Sequence, residues 1–317
     1  MQSVLKPDSK VLVTGGAGFI GSHLVERLVN DDYHVVVLDN LLSGKLANIE
    51  GPLRSGKVDF VEGDIRDASI VKKSLVGVDV VAHLAALVSV PLSIEDPKST
   101  FDVNLLGTLN LLNLCAKEKI KRFVFISSCA VLGDTKSLPV TEEAQTNPIS
   151  PYADSKLLAE RYCLGYNERA LLEAVVLRFF NVYGPRQTMN DYSGVITLFI
   201  ERCRQGLPLT VYGDGSQTRD FVNVKDVADA VFASMVKTEA KGEIFNVGSG
   251  KPTSIKTLAK TVLDLAGKNL EIKYEKSRVG DIKDSYADIS KAKKLLGYAP
   301  KVSLSDGLRA LMKEKGL

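Results

Sequence analysis

The sequence predicts a doubly wound α/β fold, in which helices cover both faces of a parallel sheet, with a smaller, interleaved lobe toward the C-terminus. The first half of the chain alternates short β-branched runs with longer segments of helical period, as expected for strands joined by helices. The β-branched runs are apolar on both faces, which a covered parallel sheet requires. At ~150 residues per domain, the 317 residues suffice for roughly two domains.

Each predicted strand is a short run rich in valine, isoleucine, leucine or phenylalanine. We predict strands at 11–14, 35–38, 58–61, 78–82, 123–126 and 174–178. Between them, apolar residues recur every three or four positions. We predict helices there at 20–29, 69–75, 97–119 and 152–169. Parallel strands joined through helices form right-handed crossovers, which gives the doubly wound arrangement.

The pattern changes after residue 178. Glycine and proline, which mark turns and loops, cluster at 183–186, 206–208, 213–215 and 248–250. Helices are predicted at 195–204, 224–235, 254–266 and 289–296. Residues 307–317 are expected to fray. We therefore expect a first domain at 1–178, to which 221–247 returns, and a second lobe at 179–317.

Composition and charge exclude several classes of protein. Hydrophobic residues make up 45% and charged residues 25% of the chain, which excludes a mainly disordered, collagen-like or disulfide-dense protein. The net charge is +3 without a basic tail, so nucleic acid is not an expected partner. Polar residues interrupt the longest apolar stretch, 78–92, and the first residues lack the apolar stretch of a secretory signal. We therefore expect no membrane association and a cytoplasmic location.

The cysteines and histidines do not suggest a metal site. The chain has four cysteines, Cys115, Cys129, Cys163 and Cys203, with no C-x-x-C pair, and three histidines. Reduced structural thiols and no bound metal are expected.

A glycine-rich turn follows the first predicted strand and opens the first helix. Gly16, Gly18 and Gly21 fit the spacing G-x-G-x-x-G, and Gly15, Gly18 and Gly21 fit a wider spacing with a glycine at every third position. Glycine permits a tight turn and lets the backbone approach a pyrophosphate, while the helix N-terminus offers free N–H groups to the phosphates. A turn without a ligand also uses glycine, so the spacing alone leaves both interpretations open.

Carboxylates after the next two strands favour a dinucleotide. Asp39 ends the second predicted strand about 20 residues beyond the glycines, where a ribose-binding carboxylate is expected. Such a carboxylate accepts hydrogen bonds from the ribose hydroxyls and repels a 2′-phosphate, so Asp39 favours NAD over NADP. A carboxylate that caps a turn is the alternative. Asp64, which follows the third strand, is a weaker candidate to meet the adenine.

Tyr152 and Lys156 are a candidate catalytic pair. They are four residues apart at the start of a predicted helix and therefore share a face. A phenol has a pKa near ~10, so a base that works near neutrality needs its pKa lowered by ~3 units, which is about 4 kcal/mol. The Lys156 ammonium together with an oxidised nicotinamide is able to supply that shift. An exposed Tyr and Lys is the alternative, but the preceding strand ends in Ser127 and Ser128, where a hydroxyl can reach the same alcohol or carbonyl.

Together these features resemble the nucleotide-sugar epimerases of the extended short-chain dehydrogenase/reductase family. The matching motifs are 14–21 (TGGAGFIG), 83–86 (HLAA), Asn104-x-x-Gly107, Ser127-Ser128, Tyr152-x-x-x-Lys156, 177–187 (LRFFNVYGPRQ), 212–220 (YGDGSQTRD) and 278–281 (RVGD). The resemblance covers nearly the whole chain and is strongest to the 4-epimerases of UDP-glucose and UDP-galactose. It implies a Rossmann-like fold, tightly held NAD and a UDP-sugar substrate.

The resemblance also implies a role for individual residues. The catalytic residues would be Ser128, Tyr152 as the base and Lys156 as its electrostatic partner. The cofactor-binding residues would be Gly15, Gly18, Phe19, Ile20, Gly21, Asp39, Asn40, Ser43, Gly44, Asp64, Ile65, Leu84, Ala85, Ala86, Asn104, Tyr152, Lys156 and Phe180. The substrate-binding residues would be Ser89, Ser128, Asn181, Tyr212, Arg219, Arg278, Asp281 and Ser285. In the implied reaction, C4 of the sugar gives hydride to NAD and receives it back on the opposite face, through a transient 4-keto sugar.

Residues in two regions of the sequence favour one type of reaction and one range of substrates. Cys129 and Ala130 stand where the dehydratases and decarboxylases of the family usually carry acids, which favours simple epimerisation. Ser285 stands where a bulky tyrosine excludes N-acetyl groups in some 4-epimerases, so we expect UDP-GlcNAc and UDP-GalNAc to be accepted as well. A UDP-glucuronate 4-epimerase and a non-catalytic dinucleotide-binding sensor are the alternatives. The family further implies a homodimer that pairs the helices at 97–119 and 152–169.

Overall fold

The computed structural model describes residues 3–135, 137–187, 194–277 and 282–317. Its strands are β1 (Lys10–Thr14), β2 (His34–Asp39), β3 (Val58–Glu62), β4 (Val80–His83), β5 (Arg122–Ser128), β6 (Glu173–Phe179), β7 (Asn181–Tyr183), β8 (Leu209–Tyr212), β9 (Thr218–Asn223), β10 (Ile244–Val247), β11 (Pro252–Ser254), β12 (Ile272–Glu275) and β13 (Asp284–Ser285). Its α-helices are α1 (Phe19–Asn30), α2 (Glu50–Arg54), α3 (Ala68–Ser74), α4 (Val90–Glu95), α5 (Pro97–Phe101), α6 (Thr108–Lys117), α7 (Pro151–Glu168), α8 (Val195–Gln205), α9 (Val224–Val236), α10 (Ile255–Ala266), α11 (Ser290–Leu296) and α12 (Leu304–Glu314).

The centre of the molecule is a seven-stranded parallel sheet in the order β3-β2-β1-β4-β5-β6-β10. Its valine-rich strands are buried on both faces. One face packs against α1 and α9, and the other packs against α3, α6 and α7. This is the predicted doubly wound, Rossmann-like α/β fold, which is confirmed.

A smaller unit lies beyond the carboxyl end of this sheet. Strands β7, β9, β11 and β13 form a second sheet, and β8 pairs with β12. Helices α8, α10 and α12 close a separate apolar core around Phe199, Leu258 and Leu308. The chain enters this unit after β6, returns to the large sheet through α9 and β10, and leaves again into β11.

Several helical segments differ from the sequence predictions, and α2 is one that was not predicted. The helix predicted at 97–119 consists of α5, a π-helical segment at Asp102–Gly107, and α6. The helix α4 was not predicted, because only Ser93 within it is buried and its apolar residues have no helical period. The expectation that 307–317 fray is wrong for most of that segment, because α12 runs to Glu314 and buries Leu308, Leu311 and Met312.

The topology places a crevice where β1 and β4 lie side by side. From these neighbours the chain continues in opposite directions along the sheet, toward β2 and β3 on one side and toward β5 and β6 on the other. In open α/β sheets, ligands bind at such a switch point, outside the carboxyl ends of the strands. The glycine-rich turn after β1 and residues 84–86 after β4 both lie there. In the described part of the chain, no helix has the length and apolarity that crossing a bilayer requires.

Candidate active site

The turn between β1 and α1 needs glycine at two positions in particular. Gly15 has a φ of +69°, and a Cβ on it would lie 2.8 Å from the Ala85 nitrogen. A Cβ on Gly21 would lie 2.2 Å from the Gly15 carbonyl oxygen. Of the two glycine spacings found in the sequence, the one formed by Gly15, Gly18 and Gly21 therefore describes this turn. No side chain among the described residues caps the N-terminus of α1, so its first N–H groups and the positive end of its dipole can meet an anion.

Asp39 is a buried carboxylate at the end of β2. One oxygen accepts the Ala17 N–H at 2.9 Å and the other accepts the Leu41 N–H at 2.8 Å. The turn-capping role, the alternative interpretation of this residue, is therefore present in the structure. A carboxylate has about four acceptor positions, so these two bonds leave it able to accept ribose hydroxyls too. Gly44 packs directly on it, since a Cβ there would lie 2.8 Å from Asp39 Oδ1.

The predicted adenine-side residues are neighbours at the ends of β2 and β3. Arg66 donates two hydrogen bonds to the Asp64 carboxylate, at 2.9 and 2.8 Å, and Asn40 donates a third at 3.2 Å. The Arg66 guanidinium lowers the pKa of Asp64 to about 2, so this carboxylate is charged at neutral pH. Ile65 is buried and Ser43 is exposed.

The other side of the crevice is the segment after β4. Leu84, Ala85 and Ala86 are half-buried there, and the Ala85 N–H donates to the Thr14 hydroxyl at 3.3 Å. Asn104, in the π-helical segment, donates to the Leu87 carbonyl at 2.9 Å and accepts the Leu87 N–H at 2.8 Å. It also donates to the Ser155 hydroxyl on α7 at 3.1 Å. Both polar atoms of Asn104 therefore join this segment to the helix that carries Tyr152.

A buried chain of hydrogen bonds connects β1, β4 and the start of α6 beside this segment. Sequence reasoning missed it. The Thr108 hydroxyl donates to the Asn104 carbonyl at 2.7 Å, so its oxygen accepts the Nε2–H of His83 at 2.8 Å. His83 Nδ1 then accepts from the Thr14 hydroxyl at 2.7 Å. Burial lowers the pKa of His83 to about 3, so the ring stays neutral. Its place in the 83–86 motif was the available signal, but a strand-end histidine does not reveal partners 69 and 25 residues away.

Ser128, Tyr152 and Lys156 come together at the carboxyl end of β5. Tyr152 is 8% exposed, and its phenol lies close enough to the side chain of Ser128 for that side chain to lower its pKa slightly. The Ser150 hydroxyl caps α7 by accepting the Ala153 N–H at 3.2 Å, which starts the helix just before the tyrosine. The Lys156 ammonium donates to the Ile126 carbonyl at 2.8 Å. The exposed-surface alternative for this pair is therefore wrong, because both side chains are buried.

Burial dominates the protonation of both groups. It lowers the pKa of Lys156 to about 8, and it raises the pKa of Tyr152 to about 12, against a smaller lowering effect of the Ser128 side chain. From the sequence we expected the Lys156 ammonium to lower the pKa of the phenol, but burial dominates that pKa and the ammonium is not among the groups that shift it. A phenol that acts as a base near neutrality would need a further positive charge beside it.

Cys129, which follows Ser128 in the chain, is half-buried. Burial raises the pKa of its thiol to about 11. The thiol therefore stays protonated near neutrality, which favours the interpretation of Cys129 as a small space-filling residue over that of a nucleophile.

Three of the predicted substrate residues lie on the smaller sheet. Asn181 on β7 pairs with Phe221 on β9, and Ser285 on β13 pairs with Arg219 on β9. Phe180, which links β6 to β7, is buried. The structure thus brings Asn181, Arg219 and Ser285 to adjacent strands.

The remaining predicted substrate residues are placed differently. Tyr212 ends β8, and its carbonyl accepts from Gln217 at 2.7 Å. Ser89 caps α4, and its hydroxyl accepts the Leu92 N–H at 3.2 Å. Arg278 and Asp281 lie outside the described residues. In the described part of the chain, no group of three or more His, Cys, Asp or Glu is arranged to hold a metal ion.

Comparison with known families identifies this arrangement. Residues 11–248 match the model of the "NAD dependent epimerase/dehydratase family". The chain belongs to this family. The matched range runs from β1 through β10, so the large sheet, the glycine turn, Tyr152 and Lys156 all lie within it.

Solved members of the family have the same fold at similar sequence distance. A UDP-glucose 4-epimerase from Thermotoga maritima with UDP-glucose has a TM-score of 0.92 and 37% identity, covering 97% of this chain and 98% of that one. A UDP-N-acetylglucosamine 4-epimerase from Methanobrevibacter ruminantium, in complex with UDP-N-acetylmuramic acid, has a TM-score of 0.92 and 38% identity, covering 96% and 97%. A UDP-glucuronic acid 4-epimerase from Bacillus cereus, with UDP-glucuronic acid and NAD, has a TM-score of 0.90 and 37% identity, covering 96% and 98%.

Proposed function

We propose that this chain is an NAD-dependent 4-epimerase of UDP-sugars. The observation that carries the proposal is the burial of Tyr152 and Lys156 on one face of α7, beside Ser128 and at the same sheet end as the glycine turn. The three solved family members described above are all 4-epimerases of UDP-sugars. An intact trio of this kind argues against a dinucleotide sensor that lacks catalysis.

The described residues fit NAD. The close approaches at Gly15 and Gly21 leave bare backbone beside an uncapped helix N-terminus, where a pyrophosphate can be bound by N–H groups. Asp39 presents a buried carboxylate at the end of β2, which suits a ribose with free hydroxyls and disfavours a 2′-phosphate. Asn40, Ser43, Asp64 and Ile65 would surround the adenosine end, and Leu84 to Ala86 with Phe180 the nicotinamide end. In this proposal 1–178 and 221–247 hold the cofactor, and 179–317 bind the substrate.

Tyr152, Ser128 and Lys156 would divide the proton chemistry. Bound NAD⁺ supplies the hydride acceptor for C4 and a positive charge near the phenol. With that charge present, Tyr152 takes the proton from the sugar 4-hydroxyl and gives it back at the end of the cycle. Ser128, which lies beside Tyr152, would donate a hydrogen bond to the same sugar oxygen. The Lys156 ammonium stabilises the phenolate and holds the nicotinamide ribose.

The substrate residues would hold the nucleotide while the 4-keto sugar turns over. Arg219 and Arg278 suit the diphosphate, because a guanidinium binds phosphate oxygens in bidentate fashion. Asn181 and Asp281 would lie around it, Tyr212 near the uracil, and Ser89 and Ser285 near the sugar. Ser285 is small and half-buried, which leaves room for a 2-acetamido group. We therefore include UDP-GlcNAc and UDP-GalNAc among the substrates, beside UDP-glucose and UDP-galactose.

A UDP-glucuronate 4-epimerase is the second candidate. The Bacillus cereus enzyme is 37% identical, the same value as the UDP-glucose enzyme, so overall identity does not separate the two sugars. A uronate carboxylate would need an added cation or hydroxyl beside the sugar, and none was evident from the sequence.

The test is a product analysis with a matched variant pair. The purified protein is offered UDP-, dTDP- and GDP-sugars, and the products are resolved by NMR. We expect interconversion of UDP-glucose with UDP-galactose and of UDP-GlcNAc with UDP-GalNAc. Tyr152→Phe should lower the rate at least about 10²-fold, the usual minimum for losing a general base, while Tyr274→Phe, on the exposed β12, should not.

Each contrary result has a distinct meaning. Turnover of UDP-glucuronate alone would favour the second candidate. An unchanged rate in Tyr152→Phe would remove the assigned base, and failure to convert UDP-GlcNAc would remove the interpretation of Ser285.

We also propose a cytoplasmic homodimer that pairs the helices at 97–119 and 152–169. The outer face of α7 supports it, since a surface hollow there is lined by Leu158, Tyr162, Tyr166 and Leu171 among others. Leu106 and Tyr162 are 55% and 48% exposed, which is a large apolar exposure for one helical layer.

A further inference from the structure

Asp220 is a fully buried carboxylate that receives four hydrogen bonds. One oxygen accepts the Ser249 N–H at 2.7 Å and the Ser249 hydroxyl at 2.5 Å. The other accepts the Gly250 N–H at 2.9 Å and the Ala287 N–H at 3.1 Å. All four partners are donors, so the site is built for an ionised carboxylate, which accepts at both oxygens.

These bonds join three segments that approach the substrate region. Ser249 and Gly250 follow β10 of the large sheet, and Ala287 lies two residues after Ser285 on β13. The Asp220 carbonyl accepts from the side chain of Asn181 on β7 at 3.3 Å. One residue on β9 therefore contacts Asn181 on β7 and the segment that follows Ser285 and β13.

The orientation of Arg219 depends on the same contact. Successive side chains on a strand point to opposite faces, so a carboxylate fixed on one face fixes which way its neighbour points. Arg219 pairs with Ser285 across β9 and β13, and it donates to the Thr218 carbonyl at 2.8 Å. Rotation of β9 about its axis would break the four bonds to Asp220 and turn Arg219 away together.

We propose that Asp220 is a positioning residue for the UDP-sugar: it holds Arg219, Asn181 and Ser285 in the register that binds the nucleotide diphosphate. This inference rests on the proposed function, in which those three residues meet the substrate. Asp220 itself contacts no substrate in this account, because its carboxylate faces the Ser249–Gly250 turn and Ala287.

Replacing Asp220 with asparagine removes the negative charge of the side chain and keeps its shape. Each Asp220 oxygen faces two donors, so whichever oxygen becomes an amide nitrogen will place N–H against N–H or O–H. We therefore expect Asp220→Asn to loosen β9 against β13. A structural role alone would lower the melting temperature, whereas a positioning role also weakens nucleotide binding in the folded protein.

Asp226 provides the matched control. It is also buried, in the first turn of α9, and its carboxylate accepts the N–H groups of Lys301 and Val302 at 2.8 and 3.1 Å. Asp226→Asn makes the same chemical change on a segment that carries no predicted substrate residue. It should lower the melting temperature and leave UDP binding unchanged.

The experiment measures UDP binding by calorimetry, and KM and kcat for UDP-glucose, at a temperature where all variants are folded. We expect Asp220→Asn to raise the Kd for UDP and the KM by about tenfold, with kcat within about threefold of the unsubstituted chain and the content of bound NAD unchanged. A folded Asp220→Asn protein with a Kd for UDP within about twofold of the unsubstituted chain would falsify the inference.

A second variant keeps the test decisive if Asp220→Asn does not fold. A Cβ on Gly248 would lie 2.5 Å from Asp220 Oδ2, so Gly248→Ala displaces the carboxylate without removing it. It should produce the same split, a raised Kd with little change in kcat, and an unchanged Kd would overturn the inference. An unsubstituted chain that binds no UDP would instead overturn the proposed function, and this inference with it.

Discussion

Burial acts in opposite directions on the two ionisable groups of the active site. The pKa of Tyr152 rises to about 12 and that of Lys156 falls to about 8, because desolvation penalises the phenolate and the ammonium alike. The Phe125 ring lies 4.9 Å from the ammonium, and the Ile126 carbonyl accepts one of its three N–H groups. These contacts partly offset the cost of burying the charge, since aromatic faces and carbonyl oxygens both attract cations.

The lowered pKa of Lys156 predicts a pH-dependent stability. Between pH 8 and the lysine pKa of an unfolded chain, near 10.4, the unfolded state binds more protons than the native state, so native stability rises with pH. The unfolding free energy of the protein minus that of Lys156→Met should therefore increase by about 3 kcal/mol from pH 7 to 10.4. Urea unfolding at a series of pH values measures it.

The baseline for that series comes from an exposed lysine. Lys117→Met, near the end of α6, is measured in the same series for comparison. A pH dependence for Lys156→Met no larger than that for Lys117→Met would contradict the lowered pKa of Lys156.

At the scale of elements, a single arginine joins α9 to the large sheet. Arg122, 1% exposed at the start of β5, donates to the carbonyls of Ser234 and Lys237 at the C-terminal end of α9, the former at 3.0 Å. It also donates to the Glu173 carboxylate on β6 at 3.0 Å. A cation there satisfies helix carbonyls that have no partner within the helix and complements the helix dipole.

Arg122→Met should therefore destabilise the protein strongly. The substitution removes the donor to the Ser234 and Lys237 carbonyls, and a buried acceptor left without its donor costs about 1–3 kcal/mol. Glu173 keeps its ion pair with Lys241 at 3.0 Å. Arg54→Met is the control, because Arg54 is 77% exposed and pairs with Glu50 one turn away. It should cost less than about 1 kcal/mol. Equal losses in thermal unfolding of the two variants would show that the Arg122 contacts are not stabilising.

Strands β1 to β6 could be predicted to within about two residues because each is a compact apolar run. Strands β7 to β13 were not predicted, and β10 among them belongs to the large sheet. Helices were also predicted incompletely. The π-helical segment at Asp102–Gly107 has no signal in apolar periodicity, because one inserted residue shifts the period only locally. The helix α12 does have apolar residues at helical spacing, Leu304, Leu308 and Leu311. Its position near the C-terminus had led to the expectation that this segment frays.

Local motifs predicted the candidate site only in part. Gly15, Gly21, Asp39, Tyr152 and Lys156 could be found because each belongs to a short pattern with its own chemical reason. The Thr14–His83–Thr108 chain and the four donors to Asp220 could not, because they join residues between 25 and 69 positions apart. Sequence reasoning finds groups that act, whereas the groups that support them depend on which strands become neighbours.

At the scale of the whole molecule, the proposed dimer predicts that one substitution in the α7 hollow halves the mass of the protein in solution. Tyr162→Arg places a charge in the middle of the α7 hollow, where a second copy would bury it without a partner. Light scattering should give about 69 kDa for the unsubstituted chain, twice 34.4 kDa, and half of that for the variant.

Leu207→Arg is the control for that measurement. Leu207 is 45% exposed, similar to Tyr162, but it follows α8 in the smaller unit. The substitution should leave the mass unchanged. A monomeric mass for the unsubstituted chain would contradict the proposed dimer.

The path of the chain limits how such a protein can diversify. It passes from the large sheet to the small one after β6, comes back through α9 and β10, and departs again into β11. A cut at any one of these crossings would leave part of one unit attached to the other. A cut after β6 would leave α9 and β10 with the smaller unit, and a cut after β10 would leave β7 and β9 with the large sheet. Recombination therefore cannot exchange the part that we propose to bind the sugar as one intact segment. If that proposal holds, a new sugar preference has to arise by point changes on strands such as β9 and β13, while the proposed cofactor-binding part stays the same.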